Sequence, residues 1–155
     1  MRLAAKGYEW AALELDDPDT MEHNLRVYDE YVTTFHNHGM KAGCWFTNGG
    51  EIYKTPGSSD LAIAEIEGPG DYEGVRNVIQ GVGGGPLPSC PKAVITNFST
   101  ITRDMAKILI DADFACLPEA YLNEHPSHTP DNEDFQARSL GWPTSQSDAG
   151  VYPVN

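Results

Sequence analysis

The pattern of hydrophobic and polar positions changes repeatedly between two periods along this chain. Short apolar runs are typical of strands that are buried on both faces. Between these runs, apolar residues recur every three or four positions, which is the spacing of an amphipathic helix. The pattern predicts strands at 8–15, 40–46, 61–67, 92–96, 114–117 and 151–154.

Four helices are predicted between these strands, and their first turns carry residues that favour helix starts. Asp17 and Pro18 suit the N-cap and first turn of the first helix, and Asp71 suits the N-cap of the second. Thr129 and Pro130 have the same roles in the fourth helix. The expected apolar faces are Leu25, Tyr28, Val32 and Phe35; Val75, Val78 and Ile79; Ile101, Met105, Ile108 and Leu109; and Phe135, Ala137 and Leu140.

Two connections show no helical period. Residues 47–60 are predicted to be a polar loop, longer than most connections in compact domains. Residues 81–88 (GVGGGPLP) are predicted to be a flexible or turn-forming connector. This run lacks the Lys-Ser/Thr pair of a P-loop and the strand-glycine-helix order of a dinucleotide site, so no nucleotide site is expected.

Alternating strands and helices predict an α/β protein with a parallel sheet. Polar residues at the carboxyl ends of several strands favour a (β/α) TIM-type barrel over an open doubly wound sheet. Such a barrel has eight strands and takes about 250 residues, whereas these 155 residues supply about six strands. We therefore expect one domain over residues 1–155 that forms an incomplete barrel.

The two ends of the chain suggest what is missing from that barrel. Residues 1–6 resemble the end of a helix closed by Gly7, and the last predicted strand is cut off just after it starts. Either the chain is a fragment of a longer polypeptide, or a partner chain or an unusual closure completes the sheet.

The net charge of the chain limits the kinds of partner that it is expected to bind. There are 23 acidic and 10 basic residues, with a net charge of −13. Nucleic acids and anionic membrane surfaces are recognised by clustered Lys and Arg, so neither is an expected partner. No apolar run approaches the roughly 20 residues that cross a bilayer, and the N-terminus lacks the basic-then-apolar order of a signal peptide.

The chain offers little for binding a cofactor or metal. Cys44, Cys90 and Cys116 lack metal-type spacing, so we expect reduced structural thiols, no zinc site and no cofactor. His125 and His128 could contact a metal, but surface histidines are the simpler interpretation. A Ca²⁺ or Mg²⁺ ion held by clustered carboxylates remains an alternative.

Carboxylates gather at the ends of three predicted strands. Glu65 and Glu67 lie two residues apart before Gly68, so strand alternation places both on one face. Asp16 ends the first strand and Glu119 follows the fifth. Like charges held close raise the pKa of at least one carboxyl, so that one acid can donate a proton while its neighbour stays ionised. A pair of this kind is the requirement of glycoside hydrolysis, and these four residues are the candidate catalytic acids.

Neighbouring residues extend this candidate site. Glu14 is expected to face the same barrel mouth, and Trp45, Tyr121 and Asn97 are candidates for substrate binding. Aromatic rings supply stacking faces for sugars. Each residue also has a simpler interpretation: the acids face water at the rim, Trp45 packs in the core, and Asn97 hydrogen-bonds a turn.

Several segments resemble two groups of known proteins. AEIEGPGDY resembles the Asp-x-Glu strand end of the family 25 glycoside hydrolases, muramidase-type lysozymes on a modified (β/α) barrel, with Glu65 and Glu67 on the acidic positions. Glu65 replaces the Asp of that pattern. A closer resemblance, covering most of the chain from Ala4, is to glycoside-hydrolase-like barrel domains in tail proteins of phages that infect actinobacteria. It is carried by AEIEGPGDY, KAVITNF, FACLPEAYLNEHP, RSLGWPTSQ and GVYPVN.

The second resemblance implies a minor tail protein of a phage virion, made in the host cytoplasm without a signal peptide. Its implied partners are cell-wall carbohydrate and other virion proteins or further segments of the same polypeptide. Three functions stay open: a barrel domain that binds or cleaves host cell-wall glycan, a structural virion protein on an inactive hydrolase-like scaffold, and a fragment of a free glycosidase. Any enzymatic activity would be glycoside hydrolysis.

Overall fold

The computed structural model describes residues 4–17, 19–96, 101–118 and 130–142. Within these ranges the chain alternates five strands with four α-helices and adds two 3-10 helices. The strands are β1 (Trp10–Glu14), β2 (Lys41–Phe46), β3 (Leu61–Ile66), β4 (Lys92–Thr96) and β5 (Phe114–Pro118). The α-helices are α1 (Met21–Asn37), α2 (Pro69–Ile79), α3 (Arg103–Asp111) and α4 (Pro130–Leu140), and the 3-10 helices are Ala4–Lys6 and Gly49–Lys54.

The five strands form one parallel sheet in the order β1-β2-β3-β4-β5, so each strand pairs with the next one along the chain. This confirms the predicted α/β class with a parallel sheet. The strand predicted at 151–154 lies outside the described residues.

One face of the sheet packs against the helices. Crossovers between neighbouring parallel strands are right-handed, which places successive helices on the same face. Burial agrees, because alternate residues of the strands join the apolar faces of all four α-helices in one core. This core contains Tyr28, Val32, Phe35, Ala42, Cys44, Phe46, Ala62, Ala64, Ile66, Val75, Val78, Val94, Leu109, Phe114, Cys116 and Ala137.

The opposite face carries the other alternate residues. Ile63 and Ala93 are register partners on this face, and each is only 1% exposed. Trp45 of β2 and Ile95 of β4 lie on the same face and are half-buried. The face is apolar along most of its length and becomes polar where β1 and β3 end.

The helix starts differ from the prediction in two places. Asp17 is not the N-cap of α1; Thr20 precedes the helix, and the Asp17 carboxylate instead accepts hydrogen bonds from Thr20 Oγ1 and the Asp19 backbone in a turn. Asp71 is not the N-cap of α2. It lies in the first turn of that helix, where its carboxylate accepts from the backbone N–H of Gly68 at 3.0 Å.

Two residues expected on apolar helix faces lie at the surface. Leu25 is 44% exposed and Phe135 is 67% exposed. In α1 the buried side is set by the residues that reach the sheet, Tyr28, Val32 and Phe35, as predicted. At the start of α1 it is Asn24 that faces the sheet, where its side chain donates to the Glu14 carbonyl at 2.7 Å, so Leu25 lies off the buried side of the helix.

The predicted loop at 47–60 contains a 3-10 helix, Gly49–Lys54, so the expectation of an aperiodic polar loop was wrong. Tertiary packing forms this turn. Ile52 is fully buried, and a Cβ at Gly50 would lie 3.0 Å from the Cα of Gly74 in α2. Close backbone approach of this kind leaves no periodic hydrophobic signal in the sequence.

The glycine-rich connector 81–88 also has a packing role. Gly84, with φ of +71°, and Gly85 lie against the ring of Tyr53 from the 3-10 helix. A Cβ at Gly84 would overlap that ring, and the positive φ is itself unfavourable for residues with a side chain. The connector forms turns and is held against the 3-10 helix, which confirms the turn-forming alternative of the prediction.

Candidate functional site

Glu14, Trp45 and Glu65 lie on the sheet face away from the helices, at the carboxyl ends of three neighbouring strands. Glu14 is the register partner of Trp45, and Trp45 is the partner of Ile63. Glu65 follows Ile63 by two residues on β3, so its side chain is on the same face. Trp45 consequently lies between the two glutamates, and we call these three residues the carboxyl-rim site.

Glu65 is only 7% exposed, although it is ionisable. Glutamate is rarely buried to this extent, because removing a carboxylate from water is costly. Buried carboxyls in a shared cluster are frequent at functional sites. Burial therefore distinguishes Glu65 from the exposed acids of this acidic chain.

Glu14 is half-buried, and its pKa is raised from the ordinary glutamate value. Removal from water is the main cause, and the negative charges of Asp17 and Asp16 add to it. The proton on Glu14 is therefore retained to higher pH than on a free glutamate. This is the property that a proton donor needs near neutral pH.

Trp45 presents part of its ring at the surface, while its indole N–H is shielded from solvent. In the part of the chain that the structure describes, this N–H meets no hydrogen-bond acceptor. A buried donor without an acceptor costs about 1–3 kcal/mol. The ring offers an apolar surface between the two acids.

Asp16 has a structural role. Its Oδ1 accepts hydrogen bonds from the backbone N–H and the hydroxyl of Thr47 at 2.9 and 3.2 Å, and its Oδ2 accepts from the Asn48 backbone at 2.6 Å. The carboxylate thus joins the end of β1 to the segment after β2. Its negative charge also raises the pKa of Glu14. A catalytic role for Asp16 stays a prediction.

Glu67 is separated from Glu65 by the end of β3. The strand ends at Ile66, and the Glu67 backbone N–H donates to Asp71 at the start of α2. Glu67 is exposed, whereas Glu65 is buried. Strand alternation therefore fixes the face of Glu65 but not that of Glu67, and the shared face predicted for these two acids stays a prediction.

The remaining candidates cannot be placed. Glu119, Tyr121 and Asn97 lie outside the described residues, as do His125 and His128. Their predicted roles stay predictions.

The sequence contains a signal that Glu14 and Glu65 face the same side of the sheet. Alternation along WAALE separates Glu14 from Ala11 and Leu13, which pack toward the helices, and alternation along LAIAEI separates Glu65 from the helix-facing residues of β3. The predicted strand included Glu67, whereas β3 ends one residue earlier.

Further features of the described residues concern metals and membranes. Within them, no three His, Cys, Asp or Glu side chains are grouped closely enough to hold a metal ion. None of the helices that the structure describes is long and apolar enough to cross a bilayer.

Comparison with known proteins gives no relative for this chain. No protein-family model matches it, and no match was found among curated proteins or solved structures.

Proposed function

We propose that this chain is a (β/α)-barrel domain of a phage minor tail protein that binds host cell-wall glycan and cleaves it at the carboxyl-rim site. The observation that carries the proposal is the placement of two glutamates on one face of the sheet, at the carboxyl ends of β1 and β3, with Trp45 of β2 between them. Chemistry in parallel α/β folds is located at that end of the strands.

The strand order supports the barrel. Five consecutive strands pair in sequence order, all parallel, with the helices on one face. In a doubly wound sheet the order reverses at a switch point and helices cover both faces. An unreversed order is instead the connectivity of a (β/α) barrel, whose inner face would hold the carboxyl-rim site.

The chemistry assigns a role to each residue. Glu14, whose pKa is raised, donates a proton to the glycosidic oxygen as the bond to the anomeric carbon breaks. Glu65 accepts a proton from a water molecule, whose oxygen forms the new bond to that carbon. Trp45 supports the sugar ring between them, as aromatic rings do in sugar sites.

The spacing of the two glutamates favours inversion over retention. Two strand spacings and a two-residue offset put their Cα atoms roughly 12 Å apart in a flat sheet. On the concave inner face of a barrel, the side chains converge. That geometry leaves room for water and suits the separation of about 6.5–9.5 Å in inverting enzymes, rather than about 5–5.5 Å in retaining ones.

A glycan-binding scaffold without activity is the second candidate. Two of the acids predicted from sequence do not join the carboxyl-rim site: Glu67 is exposed, and Asp16 accepts three hydrogen bonds from the segment after β2. Fold alone does not establish activity. Binding without cleavage would leave Trp45 as the main functional residue.

The test is release of reducing sugar from purified actinobacterial cell wall by the full chain and by Glu14→Gln, Glu65→Gln and Glu67→Gln. We expect each of the first two substitutions to lower the rate by about 100-fold or more, because each removes a proton-transfer group. Glu67→Gln is the matched control and should keep full activity. Circular dichroism would verify that all variants fold.

Sedimentation of the protein with the cell wall separates the two candidates. Sugar release that depends on Glu14 and Glu65 establishes the hydrolase. Binding that Trp45→Ala weakens, without release from any form, establishes the scaffold. Absence of both binding and release would overturn the proposal.

A further inference from the structure

A cavity of about 320 Å³ lies at the opposite end of the strands from the carboxyl-rim site. It is lined by residues from 53–59, which lead into β3, and from 86–90, which lead into β4. We call it the amino-edge cavity. Its volume is within the range of about 300–1,000 Å³ that is typical of small-molecule sites.

The wall of the cavity is connected to a buried chain of hydrogen bonds. Ser59 shares a 2.7 Å hydrogen bond with Tyr28 and donates to the sulfur of Cys44 at 3.8 Å. The Cys44 thiol donates to Thr55 Oγ1 at 3.5 Å, and the Thr55 hydroxyl donates to the Ile52 carbonyl at 2.6 Å. The Cys44 thiol also lies 3.8 Å from the Leu61 carbonyl oxygen, and either hydroxyl can be the donor between Tyr28 and Ser59.

These hydrogen bonds connect the wall of the cavity to the buried core. Two of the linked residues, Thr55 and Ser59, line the cavity. The Thr55 hydroxyl donates its proton to the Ile52 carbonyl, so its oxygen can accept a further hydrogen bond from a ligand. Ser89 and Cys90, on the facing segment, keep donors of their own. The cavity therefore matches a ligand that both donates and accepts hydrogen bonds.

The lining contains no charged side chain. Tyr53 and prolines of both segments provide apolar surface, and the Tyr53 ring is fixed by Gly84 and Gly85 packed against it. With a net charge of −13, the protein also repels anions at long range. A neutral molecule with several hydroxyl groups and one apolar face satisfies these conditions.

We propose that the amino-edge cavity binds a small neutral polyhydroxylated ligand of monosaccharide size. The site is separate from the carboxyl-rim site, since the two lie at opposite ends of the strands, and it does not depend on the proposed hydrolysis.

Cys90 provides a direct probe of this cavity. It is half-buried and lines the cavity, whereas Cys44 and Cys116 are fully buried. In the folded protein a thiol reagent therefore reaches Cys90 first. Burial raises the pKa of the Cys90 thiol, so the reaction is followed at mildly alkaline pH, where more thiolate is present. Cys90→Ser is the control that should abolish the fast phase.

The experiment measures the rate of Cys90 alkylation in the full chain against increasing glucose and N-acetylglucosamine, with glycine and inorganic phosphate as charged comparisons. We expect one of the sugars to slow the reaction about tenfold at saturation, and the charged molecules to leave it unchanged. Ser89→Trp fills the cavity and should remove the binding. Val82→Trp, at a 75% exposed position outside the lining, should not.

A second measurement does not use the thiol. Amide chemical-shift changes caused by the sugar should be confined to 53–59 and 86–90 and should persist in Glu14→Gln and Glu65→Gln. The proposal is overturned if neither sugar protects Cys90, if glycine or phosphate protects it equally, or if the shift changes map to the carboxyl-rim site and disappear in those two variants.

Discussion

Polar side chains at the amino ends of the strands differ from those at the carboxyl ends in their hydrogen bonding and pKa values. At the amino ends of the strands, the hydroxyl of Tyr28 is connected through Ser59 to further partners, and the Asp60 carboxylate binds both His36 and the Ala42 backbone. At the carboxyl ends, Glu14 has a raised pKa, and the Trp45 indole N–H meets no acceptor within the described residues. Satisfied polar groups stabilise a fold, whereas carboxyls with shifted pKa values are concentrated at functional sites.

We expect the largest loss of stability from adding a side chain at Gly49, near the carboxyl ends of the strands. A Cβ at Gly49 would lie 2.6 Å from the backbone oxygen of Glu65 and 2.8 Å from Val75 Cγ2. Neither group can move without shifting β3 or α2, so Gly49→Ala should lower the free energy of unfolding by about 3 kcal/mol, the upper end of overpacking costs. Urea denaturation measures it.

The control for this prediction is Gly70→Ala in the first turn of α2, where an added Cβ meets no atom within 4 Å. It should stabilise the protein by about 0.4–1 kcal/mol, because alanine restricts the unfolded chain. Equal effects of the two substitutions would show that the close approach of Gly49 to β3 is not a constraint.

The next effect concerns the hydrogen-bond chain at the amino end. Tyr28→Phe removes the hydrogen bond between Tyr28 and Ser59 in a buried site, and we expect the free energy of unfolding to fall by about 1–2 kcal/mol. Tyr31→Phe is the matched control, since Tyr31 is on the same helix and packs through its ring, 4.2 Å from that of Phe35. A loss at Tyr31 as large as at Tyr28 would remove the evidence for a stabilising chain.

We expect the Asp60 carboxylate, at the amino end of β3, to make the stability of the protein depend on pH in acid. Burial alone would raise its pKa, but hydrogen bonds from the Ala42 backbone and the His36 ring outweigh it, so the pKa is lowered from its ordinary value of 3.8. Because the pKa is lowered, the Asp60 carboxylate stabilises the folded state fully above pH 3.8. This stabilisation is lost as the pH falls through the pKa of Asp60 in the folded protein.

Asp60→Asn removes this titration. The variant should be less stable than the wild type at neutral pH by about 1 kcal/mol, the size of one hydrogen bond, and the difference should shrink in acid. Urea denaturation over a pH series measures both quantities. A difference that stays constant with pH would contradict the assigned role of the carboxylate.

Much of this architecture follows from local sequence. Strand β4 begins and ends where the apolar run KAVIT predicts, and Tyr28, Val32 and Phe35 are buried as helical spacing requires. These features depend on the alternation of apolar and polar residues within one element. They need no information from elsewhere in the chain.

Features that depend on contacts between elements were missed. The 3-10 helix Gly49–Lys54 exists because Gly50 and Gly74 allow two backbones to approach, which no periodicity records. Likewise, β3 ends at Ile66, one residue before the predicted end of the strand at Glu67. Alternation within each strand was enough to predict that Glu14 and Glu65 face the same side of the sheet, whereas this earlier end of the strand was not predicted.

The smallest expected effect is that of the Glu14 charge on the free energy of unfolding. Its sign is opposite to that expected for Asp60, so it tests directly whether the two ends of the sheet differ. The pKa of Glu14 is raised above 4.5 by burial and by the charges of Asp17 and Asp16. A raised pKa means that Glu14 favours the folded state below 4.5 and that this contribution is lost as the pH rises through the folded-state pKa. At neutral pH the charge of Glu14 therefore opposes folding, opposite to the charge of Asp60.

Glu14→Gln should accordingly stabilise the protein at neutral pH by less than about 1 kcal/mol, the scale of partly exposed charge interactions, and should have no effect in acid. Urea denaturation at both pH values measures it, with Glu67→Gln as the control that should change neither. A destabilised Glu14→Gln variant would mean that Glu14 is satisfied like Asp60, and the two ends of the sheet would no longer differ. Stabilisation together with lost sugar release would identify Glu14 as a residue that serves function at the expense of stability.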